Sequence, residues 1–134
     1  MKNSCCKYAR WGLGAIALFA TLFAALVHAQ TRPVPQPSPN LMINLAQGQR
    51  LFAQHCAACH GAGLTGSDRG PALLHPVYEP SHHGDASFQM AVRYGTRAHH
   101  WKFGDMPPIT GLSADDVAQI TAFVRQRQRQ AGIH

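Results

Sequence analysis

Residues His55 to His60 read His-Cys-Ala-Ala-Cys-His, the densest chemistry in the chain. They contain the pattern Cys-x-x-Cys-His, with Cys56, Cys59 and His60 at positions i, i+3 and i+4. On a helix these positions share one face. Two thiols on one side can form thioether bonds with the two vinyl groups of a haem, and the neighbouring imidazole then lies over the iron. The spacing therefore reads as a covalent c-type haem attachment. Three other chemistries use similar residues. A thioredoxin-like redox pair wants a βαβ setting, and no strong strand pattern precedes Cys56. A zinc half-site needs two further ligands at regular spacing. A Cys56–Cys59 disulfide would suit an oxidising compartment.

An iron held by one histidine has a sixth position to fill. Methionine sulfur is a soft ligand that raises the reduction potential. Beyond the first thirty residues the chain offers Met42, Met90 and Met106. Met42 precedes the first predicted helix, and Met90 sits mid-helix beside Phe88 and Val92, in a core pattern. Met106 lies in a loop followed by Pro107 and Pro108, which restrict its backbone. Met106 is the expected axial partner of His60.

Helices must position these groups. Leu45, Gly48, Phe52 and Cys56 recur at helical spacing, so a first helix runs directly into the attachment motif. Gly61 follows and allows the chain to turn away. A shorter helix fits Ala86–Tyr94, with Asp85 as N-cap and Gly95 after it. A closing helix of about 114–130 is announced by Ser113 followed three residues later by Asp116. Val117, Ile120 and Val124 form its apolar stripe, with Phe123 beside them. Arg125, Arg127 and Arg129 suit the negative end of its dipole, and Gly132 stops it. The connections are rich in glycine, proline and histidine, and no internal repeat is present.

The 134 residues hold 12 Lys and Arg against 6 Asp and Glu, a net charge of +6, and 46% hydrophobic residues. That length suits one domain, and the balance suggests a basic nucleic-acid binder. The distribution along the chain removes that suggestion. Lys2, Lys7 and Arg10 precede an uncharged apolar run from Gly12 to Val27, which ends in Val27-His28-Ala29. This is the layout of a secretory signal peptide, with cleavage expected after Ala29. Sixteen residues are short for a spanning helix, which wants about 20, so retention of residues 11–27 as a membrane anchor is the second reading. Cys5 and Cys6 lie ahead of the apolar run and have no assigned role. Without residues 1–29 the chain carries 9 Lys and Arg against 6 Asp and Glu. Nucleic acid is therefore not an expected partner, and two haem propionates would lower the +3 to about +1. Residues 30–40 include Pro33, Pro35, Pro37 and Pro39, and read as an extended linker. Residues 41–134 are the expected folded domain.

With these features in place, the sequence resembles a class I c-type cytochrome from about Leu45 to Arg129. The resemblance rests on Gly48 and Phe52, Cys56-Ala-Ala-Cys59-His60-Gly61, Gly70-Pro71-Ala-Leu73, Met106-Pro107, and Leu112-Ser-Ala-Asp-Asp-Val117-x-x-Ile120-x-x-Phe123-Val124. It implies an all-α fold of three or more helices wrapped around one covalent haem c, with long loops. It also implies a close crossing of the first and last helices, Gly48 and Phe52 facing Ile120 and Phe123. In the family, the carbonyl matching that of Pro71 accepts a hydrogen bond from the proximal histidine. The expected activity is one-electron transfer rather than enzymatic turnover, in the bacterial periplasm. The expected partners are redox proteins: a respiratory complex, an oxidase or a reductase.

One stretch departs from a minimal family member. Residues 75–103 carry His75, His82-His83 and His99-His100-Trp101. Adjacent histidines lack the helical spacing of a built metal site, so the stretch is read as exposed loop histidines. Trp101 and Tyr78 are expected either to line the haem pocket or to pack as core. The competing functions are a pentacoordinate haem enzyme or gas sensor, which requires that Met106 not bind iron, and a copper-handling protein using the histidine-rich loop.

Overall fold

The computed structural model describes residues 32–134. The expected signal segment lies outside the described residues. Four α-helices follow in order: α1 (Leu45–His55), α2 (Ala57–His60), α3 (Asp85–Tyr94) and α4 (Ala114–Gln130), with a 3-10 turn at Pro76–Tyr78. Among the described residues the β pairing is an isolated bridge between Thr96 and Met106, so the domain is all-α. No helix of the described residues is long and apolar enough to cross a membrane.

The frame is the crossing of α1 and α4. A Cβ built on Gly48 would stand 2.1 Å from the Gln119 carbonyl oxygen and 3.0 Å from the Phe123 Cβ. Only a residue without a side chain lets the two backbones approach so closely. One turn along, the rings of Phe52 and Phe123 meet at 5.7 Å between centroids, tilted by 52°. Phe52, Leu64, Leu73, Ile120, Phe123 and Val124 form the buried apolar cluster. The face expected from the stripe of α4 is thus the face that is buried.

Helix ends follow local chemistry. Ser113 and Asp116 form a reciprocal capping box at the start of α4. The hydroxyl and backbone N–H of Ser113 lie beside the Asp116 carboxylate and hold its pKa below the ordinary value. At α1, Asn44 caps through its side chain, which accepts from the Gln47 N–H at 3.1 Å. Two expectations are corrected. The N-cap of α3 is Gly84, not Asp85, and Asp85 is the first residue of the helix. Its carboxylate pairs with Arg125 Nε at 2.8 Å. The first helix also does not continue evenly into the attachment motif. It ends at His55, and Cys56 sits between α1 and α2 with φ −122°. The hydrogen-bond ladder passes through this break, because Cys56 N–H donates to the Phe52 carbonyl and His60 N–H to the Cys56 carbonyl.

The proline-rich segment also differs from a free tail. The compact unit begins at Val34 rather than after residue 40. The Ser38 backbone and hydroxyl both donate to the Asp115 carboxylate, at 2.6 and 2.8 Å. Gln119 then ties the following residues down, accepting from the Asn44 N–H at 2.6 Å and donating to the Met42 carbonyl at 2.9 Å. A stiff extended segment loses little backbone entropy on docking, and here its polar groups find partners along the N-terminal turns of α4.

Candidate functional site

Beside the α1–α4 frame lies a cleft of about 850 Å³, partly open to solvent. Its walls include Phe52, Leu73, Phe88, Val92, Val117 and Ile120. Cys56, Cys59, His60 and Met106 line the same cleft. The break at Cys56 therefore does not scatter the motif: both thiols and the imidazole reach one space.

His60 is oriented by the loop that follows it. Its Nδ1 lies 2.9 Å from the Pro71 carbonyl oxygen. A carbonyl can only accept, so Nδ1 carries the proton and Nε2 keeps its lone pair for a metal. Pro71 thus makes the contact that the resemblance implied.

Met106 is held by its backbone. Its N–H and carbonyl exchange hydrogen bonds with the carbonyl and N–H of Thr96, both at 2.9 Å. Gly95 makes this approach feasible. It ends α3 at φ +75°, and a Cβ there would stand 2.6 Å from the Met106 carbonyl oxygen. The sulfur-bearing residue is pinned to the end of α3, and Pro107 and Pro108 limit its movement on the other side. The remaining methionines are placed elsewhere. Met42 is 86% exposed, and Met90 does not line the cleft.

A second pocket of about 490 Å³, open to solvent, shares His60, Tyr78 and Met106 with the first, and is also lined by Thr96–Trp101 and Phe103–Gly104. Trp101 Nε1 donates to the Tyr78 hydroxyl at 3.0 Å, and the Trp101 ring meets His75 edge-on at 4.9 Å. Both aromatics therefore line the pocket region and use their polar ends on each other.

The residues fit a haem. The walls are apolar and broad, one imidazole is fixed in the metal-binding tautomer, and two thiols lie alongside it. The thiols are not joined to each other. Burial, with a smaller contribution from Cys59, pushes the Cys56 thiol up to about 11. A thioredoxin-like pair wants a βαβ setting, and among the described residues the β pairing is an isolated bridge between Thr96 and Met106. A family model described as Cytochrome c matches residues 45–128.

The chain belongs to the cytochrome c family. No curated protein and no solved structure matches it. Membership in the cytochrome c family implies one covalent haem c, haem-based electron transfer and redox proteins as partners.

Two residues that position the site escaped the sequence reading. Arg125 was expected at the helix dipole, yet its side chain is buried. It donates to the Tyr78 carbonyl at 2.8 Å, to the His83 carbonyl, to Gln128 Oε1 at 2.7 Å and to Asp85 at 2.8 Å. Its guanidinium also lies 5.0 Å from the centre of the Phe88 ring. Gln128, 1% exposed, donates to the Leu73 carbonyl at 2.9 Å and the Tyr78 carbonyl at 3.1 Å. Together they form a polar shelf that carries residues 73–85 along one edge of the cleft. The available signal was periodicity: Arg125 follows the buried Val124, and Gln128 follows Ile120, Val124 and Arg125 at helical spacing.

The histidine stretch is not a scatter of separate rings. His82, His83 and His100 converge, with one nitrogen of each lying within 4.8 Å of the others. Spacing along the chain does not reveal this, because two loops build the cluster. His100 is held below the usual histidine pKa by desolvation and by the neighbouring His99, His83 and His82.

Proposed function

We propose that the protein is an exported periplasmic one-electron carrier, with haem c bound through Cys56 and Cys59 and its iron held by His60 and Met106. The observation that carries this reading is the shared cleft: an imidazole with its Nδ1 proton held by Pro71 and a tethered methionine line the same space. When bound, the haem supplies a ferrous–ferric couple that moves one electron at a time.

The chain's residues do the rest. Cys56 and Cys59 keep the cofactor from dissociating. The Pro71 carbonyl fixes the ring of His60 and makes its Nε2 more basic. Met106, restrained by Thr96 and Pro107, would offer its sulfur to the iron of a bound haem, a soft ligand that raises the potential. Phe52, Phe88, Val117 and Ile120 line the cleft and would exclude water from a bound macrocycle. Held by His60 and Met106, a bound haem would have no open position on its iron for substrate, which suits electron transfer. Docking on a respiratory donor and an oxidase or reductase would use a small transient interface, which suits fast exchange.

The absorption spectrum tests the ligation. The ferric protein should be low-spin with a weak band near the red end, and Met106→Ala should lose that band and become high-spin. A high-spin native protein would sink the carrier assignment in favour of an open haem that binds peroxide or a diatomic gas. Export is supported by the pattern of residues 1–29. Mass spectrometry of the mature chain should find one haem mass on a polypeptide that begins near Gln30.

A further inference from the structure

The two loops that carry Tyr78–Gly84 and Thr96–Met106 meet at the edge of the haem cleft, where His83 lines its wall. His82 Nε2 and His100 Nε2 lie 3.3 Å apart. Two nitrogens bound tetrahedrally to one ion at about 2.05 Å stand about 3.3 Å apart. The ring centroids of His83 lie 4.6 Å from His82 and 5.1 Å from His100. His83 is also set up chemically. Its Nδ1 donates to the Val77 carbonyl at 2.7 Å, so the proton is on Nδ1 and the lone pair is on Nε2. That outer hydrogen bond is the usual partner of a metal-binding histidine. We propose that His82, His83 and His100 form a second metal site, for a divalent imidazole-binding ion such as copper or zinc.

The fold supports the position of each ligand. The backbone N–H groups of His82 and His83 both donate to the Glu79 carbonyl, at 3.1 and 2.8 Å. The carbonyl of His83 accepts from the buried Arg125. On the other loop, the Ala98 N–H donates to the Asp105 carboxylate at 2.9 Å, closing the turn that presents His100. Among the described residues no carboxylate or thiolate joins the three imidazoles. This donor set suits copper and zinc and disfavours magnesium or calcium, which prefer oxygen. Three histidines leave a coordination position for water or another small ligand.

The site has a consequence for the first one. An ion held between these loops would staple the loop whose base is Met106 to the loop that Arg125 anchors. His83 contributes to both, since it also lines the haem cleft. This consequence rests on the haem reading, whereas the metal site itself does not.

The haem-loaded protein should be titrated calorimetrically with zinc chloride and, separately, with copper(II) chloride. One saturable site per chain is expected, tighter for copper, as the usual order of affinities requires. His82→Gln with His100→Gln should weaken it by more than the roughly 10–100-fold lost when only an outer partner is removed. Both side chains are exposed, and an unchanged haem spectrum in the variant will show that it folds. His134→Gln, outside the cluster, should leave binding unchanged. A titration without a 1:1 site, or a site of equal affinity in the double variant, overturns the proposal. The result is independent of Met106, because binding is measured by heat and not by electron transfer.

Discussion

The α1–α4 crossing and the shelf around Arg125 border the same cleft but are held by opposite means. The crossing is apolar and tight: Gly48 admits the Gln119 backbone, and Phe52 and Phe123 lock ring to ring. The shelf is polar and buried: one guanidinium and one carboxamide satisfy the carbonyls of Leu73, Tyr78 and His83. Burial of apolar area is nondirectional and stabilises the whole unit. Hydrogen bonds from a buried arginine are directional and fix one segment in one place. The frame gives this domain its stability, whereas the shelf gives its loops their position.

The largest break should come from the frame. Phe52→Ala removes a fully buried ring at the crossing and is expected to cost about 4 kcal/mol. Denaturant unfolding should show a single transition at lower midpoint, with frame and shelf lost together. A smaller, local effect is expected from Arg125→Met. It keeps much of the side-chain volume but leaves the Tyr78 and His83 carbonyls without this donor, a cost of about 2 kcal/mol. Hydrogen exchange should rise in 76–84 while α1 stays protected. Equal loss of protection in both regions would erase the distinction.

The smallest effect should come from the cap of α4. Ser113→Ala is expected to cost about 1 kcal/mol. It should also change the acid limb of stability. Asp116 has a lowered pKa in the folded chain because Ser113 donates to its carboxylate. That stabilisation is present above the unfolded aspartate pKa and is lost as pH falls through the lower folded value. In Ser113→Ala, stability should fall less steeply in that acidic window, which unfolding midpoints measured across it will read.

Some of this was legible because it is local. Cys56, Cys59 and His60 announce their chemistry through spacing alone. Ser113 and Asp116 mark a helix start because a capping box spans only three residues. The shelf was not legible, since an arginine in the last turns of a helix is ordinarily a dipole partner. Asp85, 40 residues away, draws Arg125 inward together with three further acceptors. The same competition took Asp85 from its expected place as N-cap.

The sequence by itself determined the attachment motif and the helical periodicity, because each depends on neighbours within a few residues. Tertiary structure alone decided that residues 34–40 dock on α4, that Arg125 and Gln128 support the loops, and that His82, His83 and His100 meet. Those outcomes join atoms separated by 17 to 77 positions in the chain. Loop histidines carry no periodicity to reveal their neighbours, so only closure of both loops over the helical frame brings the imidazoles within reach of one ion.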